Sequence, residues 1–336
     1  MSKKLATQLL LVIFLVIILL FVSSFSLFVG PTNIPLKKFF EIISRGKGTT
    51  EYSILFEVRL PRIILGFAIG STLSLVGVIL QGIFRNPLVE PYTLGISGGS
   101  ALGVCLNIVI GGYKKFGIIS LPLSGFFGAI FVTILVYSLS IKRGELKTSG
   151  LLLTGVMISF ISSSLLMLIM SVAKVEEVHG ILFWIMGSLE EPNITLVKFV
   201  FFISIFSLIF SYLFCFDLNA LLLGEEEAIH LGVNVERIKK IFFILTSLLT
   251  GTCVSVAGII GFVGLVVPHI VRLYAGTDYR ILLLSSFLLG SIFLIVCDTI
   301  SRTIISPMEL PVGVITGIVG GSLFIYVFTK RETRNR

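Results

Sequence analysis

Three consecutive glutamates, Glu225, Glu226 and Glu227, stand in the middle of a chain that is otherwise mostly apolar. They belong to the stretch LLLGEEEAIHLGV, residues 221–233. Ala220 to Leu223 can form one short helix, which Gly224 breaks. The glutamates then fill the first turn of a second helix, where negative charge suits the helix dipole. Ala228 and Leu231 continue that helix, and Gly232 can cap its C-terminus. A solvated acidic loop is the plain alternative. A mere connection, however, has no need of the apolar Leu221, Leu222 and Leu223. A compact helical knob with one apolar and one acidic face suits docking into a groove on another protein.

Other chemistry is sparse. Asp298 is the acid that sits well inside an apolar run, and Arg302 follows four residues on, on the same helix face. The pair reads either as a salt bridge near a helix end or as part of an ion or proton relay. A proton-coupled carrier would be expected to bury more acids. The histidines, His179, His230 and His269, are far apart in sequence, and no H-E-x-x-H spacing occurs. No G-x-x-x-x-G-K-[ST] phosphate loop is present, and Lys147-Thr148 lacks its glycines. GISGGS, residues 95–100, has the serine-glycine-glycine of nucleotide-cassette signatures, but it opens an apolar span and reads as packing glycine. Cys105, Cys215, Cys253 and Cys297 all lie in apolar runs without C-x-x-C spacing, which points to packing and to neither metal nor disulfide chemistry. The chain reads as a passage whose energy comes from elsewhere.

The elements that must position these residues are membrane spans. The chain has 336 residues, 55% hydrophobic and 13% charged, with a mean hydropathy of +1.07. Soluble domains carry about 25% charged residues. About ten apolar spans are expected, over residues 5–29, 63–83, 94–110, 118–141, 149–172, 197–216, 241–260, 262–273, 281–300 and 311–328. The first is too long for a signal-peptide core and lacks an A-x-A site, so it reads as a retained span. The eighth is short, and is expected to merge with its flanks or to break at Gly261 and Pro268. Lysines and arginines in the short loops, with the basic tail KRETRNR, favour both termini in the cytoplasm. The net charge of +8 is scattered between apolar runs, which argues against a nucleic-acid partner. Small residues recur every four positions at Gly66, Gly70 and Ser74, at Gly95, Gly99 and Gly103, and at Gly313, Gly317 and Gly321. Such rows let helix backbones approach closely, within one bundle or at a subunit interface or pathway.

Several ordered motifs, taken together, resemble the FecCD family, the permeases of cobalamin, heme and iron-siderophore importers of the ATP-binding cassette (ABC) class. They are RLPR at 59–62, Gln81 with RNPL at 85–88, LGISGGS at 94–100, WIMGSL at 184–189 and LGEEEAIHLGV at 223–233. GIIGFVGLVVPHIVR at 258–272, GTDYR at 276–280, Asp298 with Arg302, and ELPVGVITGIVGG at 309–321 complete them, so the resemblance covers nearly the whole chain. Gly321 and Ser100 depart from the common pattern in minor ways.

The resemblance implies an all-α polytopic membrane protein of about ten transmembrane helices, a vitamin B12 permease-like bundle of the type II ABC importer. It would form one transmembrane domain, 1–336, containing a cytoplasmic coupling-helix segment at 217–234. A second permease subunit would pair with it. Two ATPase subunits, carrying ATP and Mg, would grip Leu221, Leu222, Leu223, Gly224, Glu225, Glu226, Glu227, Ala228, Leu231 and Gly232. This chain would hold no cofactor and would not itself be an enzyme. An extracytoplasmic binding protein would dock acidic groups on Arg59, Arg62 and Arg302, for which anchoring near helix ends is the alternative. Gln81, Asn86, Pro87, Gly95, Ser97, Gly98, Pro268, His269 and Asp298 are expected to line the pathway or to pack. Residues 176–191 should form an amphipathic surface helix on the outer face, with Trp184 an interfacial anchor. The implied function is ATP-driven import of a ferric siderophore or related metal chelate across the cell membrane, with heme or cobalamin as alternatives. An ion-coupled secondary transporter and an intramembrane enzyme are the rival classes.

Overall fold

Long apolar runs with few interior breakers can cross lipid only as helices, because each backbone donor and acceptor must be satisfied inside its own segment. The computed structural model describes residues 3–334, apart from 33, 35–40, 43–45, 47, 143–144, 147 and 192. Among the described residues the regular structure is helical save for a two-residue antiparallel pair, Ile141–Lys142 with Glu145–Leu146. Besides two short turns of helix at Pro91–Leu94 and Gly112–Phe116, the helices are α1 Lys3–Phe28, α2 Thr50–Ile83, α3 Ile96–Ile110, α4 Ser120–Ser140, α5 Thr148–Val172 and α6 Val175–Ile185. They continue as α7 Ile194–Leu213, α8 Cys215–Leu223, α9 Glu225–His230, α10 Val235–Ala257, α11 Val263–Ala275, α12 Tyr279–Thr303 and α13 Val312–Arg334. Seven helices among the described residues are long and apolar enough to cross a membrane, and three shorter apolar ones (α3, α11 and the first part of α13) complete a set of ten. Lys147 and the two last residues of the basic tail lie outside the described residues.

Helix α2 is the axis of the bundle: 89% of its apolar window is buried, against 11% for the peripheral α1. Lipid tails are as apolar as leucine, so what draws helices together is close packing. A methyl added to Gly70 would run into the Gly290 carbonyl of α12, and one on Gly77 into Gly264 of α11. On α3, Gly99 and Gly103 meet α4 at Gly128 and Ser124 in the same way. The row on α13 behaves differently, since Gly313 abuts Met186 and Ile259 while Gly317 faces open space. The four cysteines are free and buried.

Two span expectations need correction. The second span does not begin at 63. Helix α2 starts at Thr50, and residues Ser53–Arg59 are π-helical, with Leu60 N–H reaching back to the Leu55 carbonyl. That wide turn comes just before Pro61, whose ring cannot donate. The break expected at Gly261 is present, between α10 and α11, with Gly258 at φ 70° and Phe262 at φ 67°, but Pro268 lies inside α11 without ending it. Proline removes the bond that position 268 would have made to the Gly264 carbonyl. Gln81 Nε2 from α2 supplies it instead, at 3.0 Å. A neighbouring side chain thus re-satisfies the freed backbone group, as membrane helices require.

Contacts place the chain ends. The C-terminal end of α1 meets Arg59 of α2, and Glu309, just before α13, meets Arg62. The α8–α9 knob shares a pocket with the opposite end of α2, at Arg85 to Pro87. A 26-residue helix spans about 39 Å. Helices α1 and α13 therefore both carry their free ends toward the side of the knob.

Candidate functional site

The knob is built as two short helices at a bend. Gly224 makes the bend at φ 136° and ψ 159°, a conformation closed to residues with a Cβ. Gly232, at φ 86°, follows α9 in the left-handed region, as a helix-ending glycine does. Leu221 and Ala228 are buried and belong to the main core with Leu218, Val235 and Ile238. Leu222, Leu223, Ile229 and Leu231 are exposed, as are Glu226 and Glu227. An apolar patch flanked by acids thus stands clear of the bundle. Glu225 does not join that surface freely, because its Oε2 lies 2.6 Å from Nζ of the buried Lys239 on α10.

The knob is also tied to the bundle at the start of α12. Asn219 Nδ2 donates to Asp278 Oδ1 at 3.1 Å, and Tyr279 N donates to Asn219 Oδ1 at 3.0 Å. Arg280, with Nη2 2.6 Å from Asp278 Oδ2, hydrogen-bonds the Asp278 carboxyl and holds it down at about 2. A carboxylate depressed in this way contributes stability that is full above its unfolded pKa, near 3.9, and is lost progressively as pH falls from there through about 2. The link therefore stays charged throughout the physiological range. Tyr279 then packs its hydroxyl over Gly82 of α2, where an added methyl would clash. Arg272 of α11 donates to Gln81 Oε1. Because the Tyr279 hydroxyl also hydrogen-bonds Arg272, a polar chain runs from the knob, through α12, α11 and α2, to the Gly264 carbonyl next to the break between α10 and α11.

At the opposite end stands a buried charge cluster. Asp298 is 1% exposed and accepts from Arg302 Nε at 2.9 Å and from Arg62 Nη2 at 3.2 Å. Arg62 Nη1 also donates to Glu309 Oε2 at 2.5 Å, and Glu309 is 37% exposed. Arg302 Nη2 donates to Ser26 Oγ on α1 at 2.8 Å. Arg59 caps α1, its Nη1 donating to the Leu27 and Phe28 carbonyls at 3.0 Å and its Nη2 to the Thr32 carbonyl at 2.5 Å. Helix ends leave such carbonyls without partners, and a cation there complements the dipole. Within this chain the three arginines are buried and engaged, with Glu309 as their outermost partner.

The remaining sequence candidates sit apart from one another. Asn86 and Pro87 lie at the knob end, in the pocket that Leu222 lines. Gly95, Ser97 and Gly98 lie at the start of α3, where Gly98 packs against Ser162 of α5 and Gly95 against Gly155 and Ile158. His269 is buried on α11, its ring edge-on to Phe324 of α13 at 5.8 Å. Helix α6 covers most of 176–191, and Trp184 packs half-buried onto a cluster formed by α3, α5 and α6. Sequence reasoning missed Lys239, Asn219 and Asp278 as knob anchors, and Glu309 and Ser26 as members of the charge cluster. Asn219 lies inside the expected coupling segment 217–234, and Asp278 and Glu309 lie inside the motifs GTDYR and ELPVGVITGIVGG. Nothing in the spacing pointed to Ser26, which is 276 residues from its partner.

Residues 15–330 match the sequence profile of the FecCD transport family. The chain is 36% identical over 289 residues to the cobalamin import system permease protein BtuC of Halobacterium salinarum, covering 86% of this chain and 77% of that one. It is 35% identical over 287 residues to the hemin transport system permease protein HmuU of Yersinia pestis, covering 84% and 86%. Among solved structures, a metal-chelate type ABC transporter in an inward-facing conformation superposes with a TM-score of 0.85 at 30% identity, covering 95% of this chain and 98% of that one.

Proposed function

The chain belongs to the FecCD transport family, and from that premise we propose that it is the permease subunit of an ATP-driven importer for a ferric siderophore or related metal chelate. The observation that carries the reading is the knob: an exposed apolar and acidic surface, bent at a glycine and hydrogen-bonded into the bundle, on a multi-pass membrane protein without a nucleotide motif. The ATPase, with its ATP and Mg, sits on separate subunits that grip residues 221–232. Their motion reaches the bundle through Asn219, Asp278 and Tyr279. The knob and both chain ends then lie in the cytosol. A second permease subunit, the same chain or a relative, closes the path. The choice of metal chelate rests on the likeness to the metal-chelate type transporter. Heme and cobalamin stand as alternatives because relatives so named match over similar lengths.

Reconstitution with the ATPase and binding protein tests the reading. Ferric-siderophore accumulation should require ATP and both partners. Uptake that follows an ion gradient without ATP would end it.

Docking of the binding protein over Arg59, Arg62 and Arg302 is part of the proposal, in a form adapted to their burial. Glu309 pairs with Arg62 from an exposed position, so an incoming carboxylate reaches the cluster by exchanging with it. Glu309→Gln should tighten binding-protein affinity about fivefold, the scale of one partly exposed ion pair, and Arg62→Glu should weaken it. Equal affinity for wild type and Glu309→Gln, measured by titrating labelled binding protein, would remove the exchange.

A further inference from the structure

A pocket of about 260 Å³ opens between the end of α2 and the knob. Its lining includes Arg85, Asn86, Pro87, Leu222, Arg272 and Thr277, and among the described residues no carboxylate contributes to it. Arg85 is exposed and stands at φ 48°, in the left-handed region that a long side chain rarely adopts. Among the described residues its guanidinium has neither a hydrogen bond nor an ion pair. An exposed guanidinium that lines a pocket without an ion pair offers a planar fork to an incoming carboxylate.

The surrounding charge decides which anion. A methyl on Gly224 would touch the Glu227 carboxylate and come 3.8 Å from Arg85 Nη2. The cationic pocket and the acidic tip thus adjoin each other across the bend. A membrane surface rich in anionic headgroups would be drawn to the pocket and repelled by Glu226 and Glu227. A folded protein surface can meet both signs at once, and such bipolar patterns fix orientation and register. Leu222 belongs both to the pocket wall and to the exposed face of the knob, so whatever grips the knob also reaches the pocket.

We propose that this pocket seats an aspartate or glutamate side chain of the ATPase subunit, with Arg85 as its ligand. This rests on the reading that the ATPase grips the knob, and it adds a second point of attachment, directly on the central helix α2. Arg272, already bonded to Gln81, adds positive potential behind Arg85. The motor then holds the bundle at α8 and at α2 together, on either side of the Gly224 bend.

The test uses the full permease with its ATPase, in bilayers of neutral lipid and in bilayers containing anionic lipid. Arg85→Gly keeps a backbone that tolerates φ 48° and deletes only the side chain. It should lower ATPase affinity about tenfold, and Arg85→Glu about a hundredfold, in both kinds of bilayer. Wild-type affinity in Arg85→Glu overturns the inference. So does a loss confined to anionic bilayers, which would mark a headgroup site. Leu223→Asp, on the exposed face of the knob, separates the two levels. If it abolishes binding and Arg85→Glu does not, only the pocket assignment fails. If Leu223→Asp leaves binding intact, the knob reading itself fails.

Discussion

Gly224→Val should leave the subunit in the membrane and free of its ATPase. At φ 136° and ψ 159° a residue with a Cβ is strained by about 1–3 kcal/mol, and the bend relieves that strain by turning. The added side chain also displaces the Glu227 carboxylate. Turning the bend reorients Leu222 and Leu223 on one side against Ile229 and Leu231 on the other, which breaks a single docking surface into two. A few well-packed residues carry most of the energy of such interfaces, so affinity should fall by about two orders of magnitude or more. Insertion is spared, because the change leaves the sequence of the ten apolar helices untouched. Co-purification of the ATPase with the membrane-inserted variant is the readout. Stoichiometric recovery at wild-type salt tolerance would contradict the assignment of this bend to coupling.

The second large effect is at the other end of the bundle. Asp298→Ala should destabilise the subunit by about 3–5 kcal/mol, the cost of leaving buried cations without their counter-charge. Arg62 and Arg302 both rely on that carboxylate, and all three are at most 5% exposed. Glu309 still reaches Arg62 after the change, but in the described contacts Arg302 keeps only Ser26 and the Val29 carbonyl. The ends of α1, α2 and α12 should separate, lowering thermal stability in detergent. Adding Arg302→Met to Asp298→Ala should recover part of the loss, because one uncompensated charge goes with it. A thermal midpoint in Asp298→Ala equal to that of wild type would show that the cluster contributes little. A double variant less stable than the single would show that the guanidinium matters through packing.

The two effects differ in how far they could be read from the chain alone. The knob was legible almost residue by residue. Helix breaking by Gly224, acids in a first turn and a glycine after the second helix are all local rules that act over four or five residues. The Asp298–Arg302 pair was legible for the same reason, since four residues along a helix bring two side chains to one face. The helical class and the ten apolar helices followed from hydropathy, because lipid permits so few backbone solutions.

What lay across the bundle was not legible. Arg62 joins Asp298 over a separation of 236 residues, and Arg59 is held by the carbonyls of α1. Pro268 read as a break, yet the helix continues because Gln81, 183 residues before Gly264, satisfies the carbonyl that the proline frees. Arg85 and Leu222 share a pocket only because α2 ends beside the knob. The sequence by itself determined which segments are apolar helices, where the chain bends, and where apolar and acidic residues gather on one knob. The tertiary structure alone decided which charges are paired within the chain. The reason is physical: helix and turn rules are set by neighbours in the chain, whereas a buried charge or an orphaned carbonyl is settled by whichever group packing brings within about 3 Å.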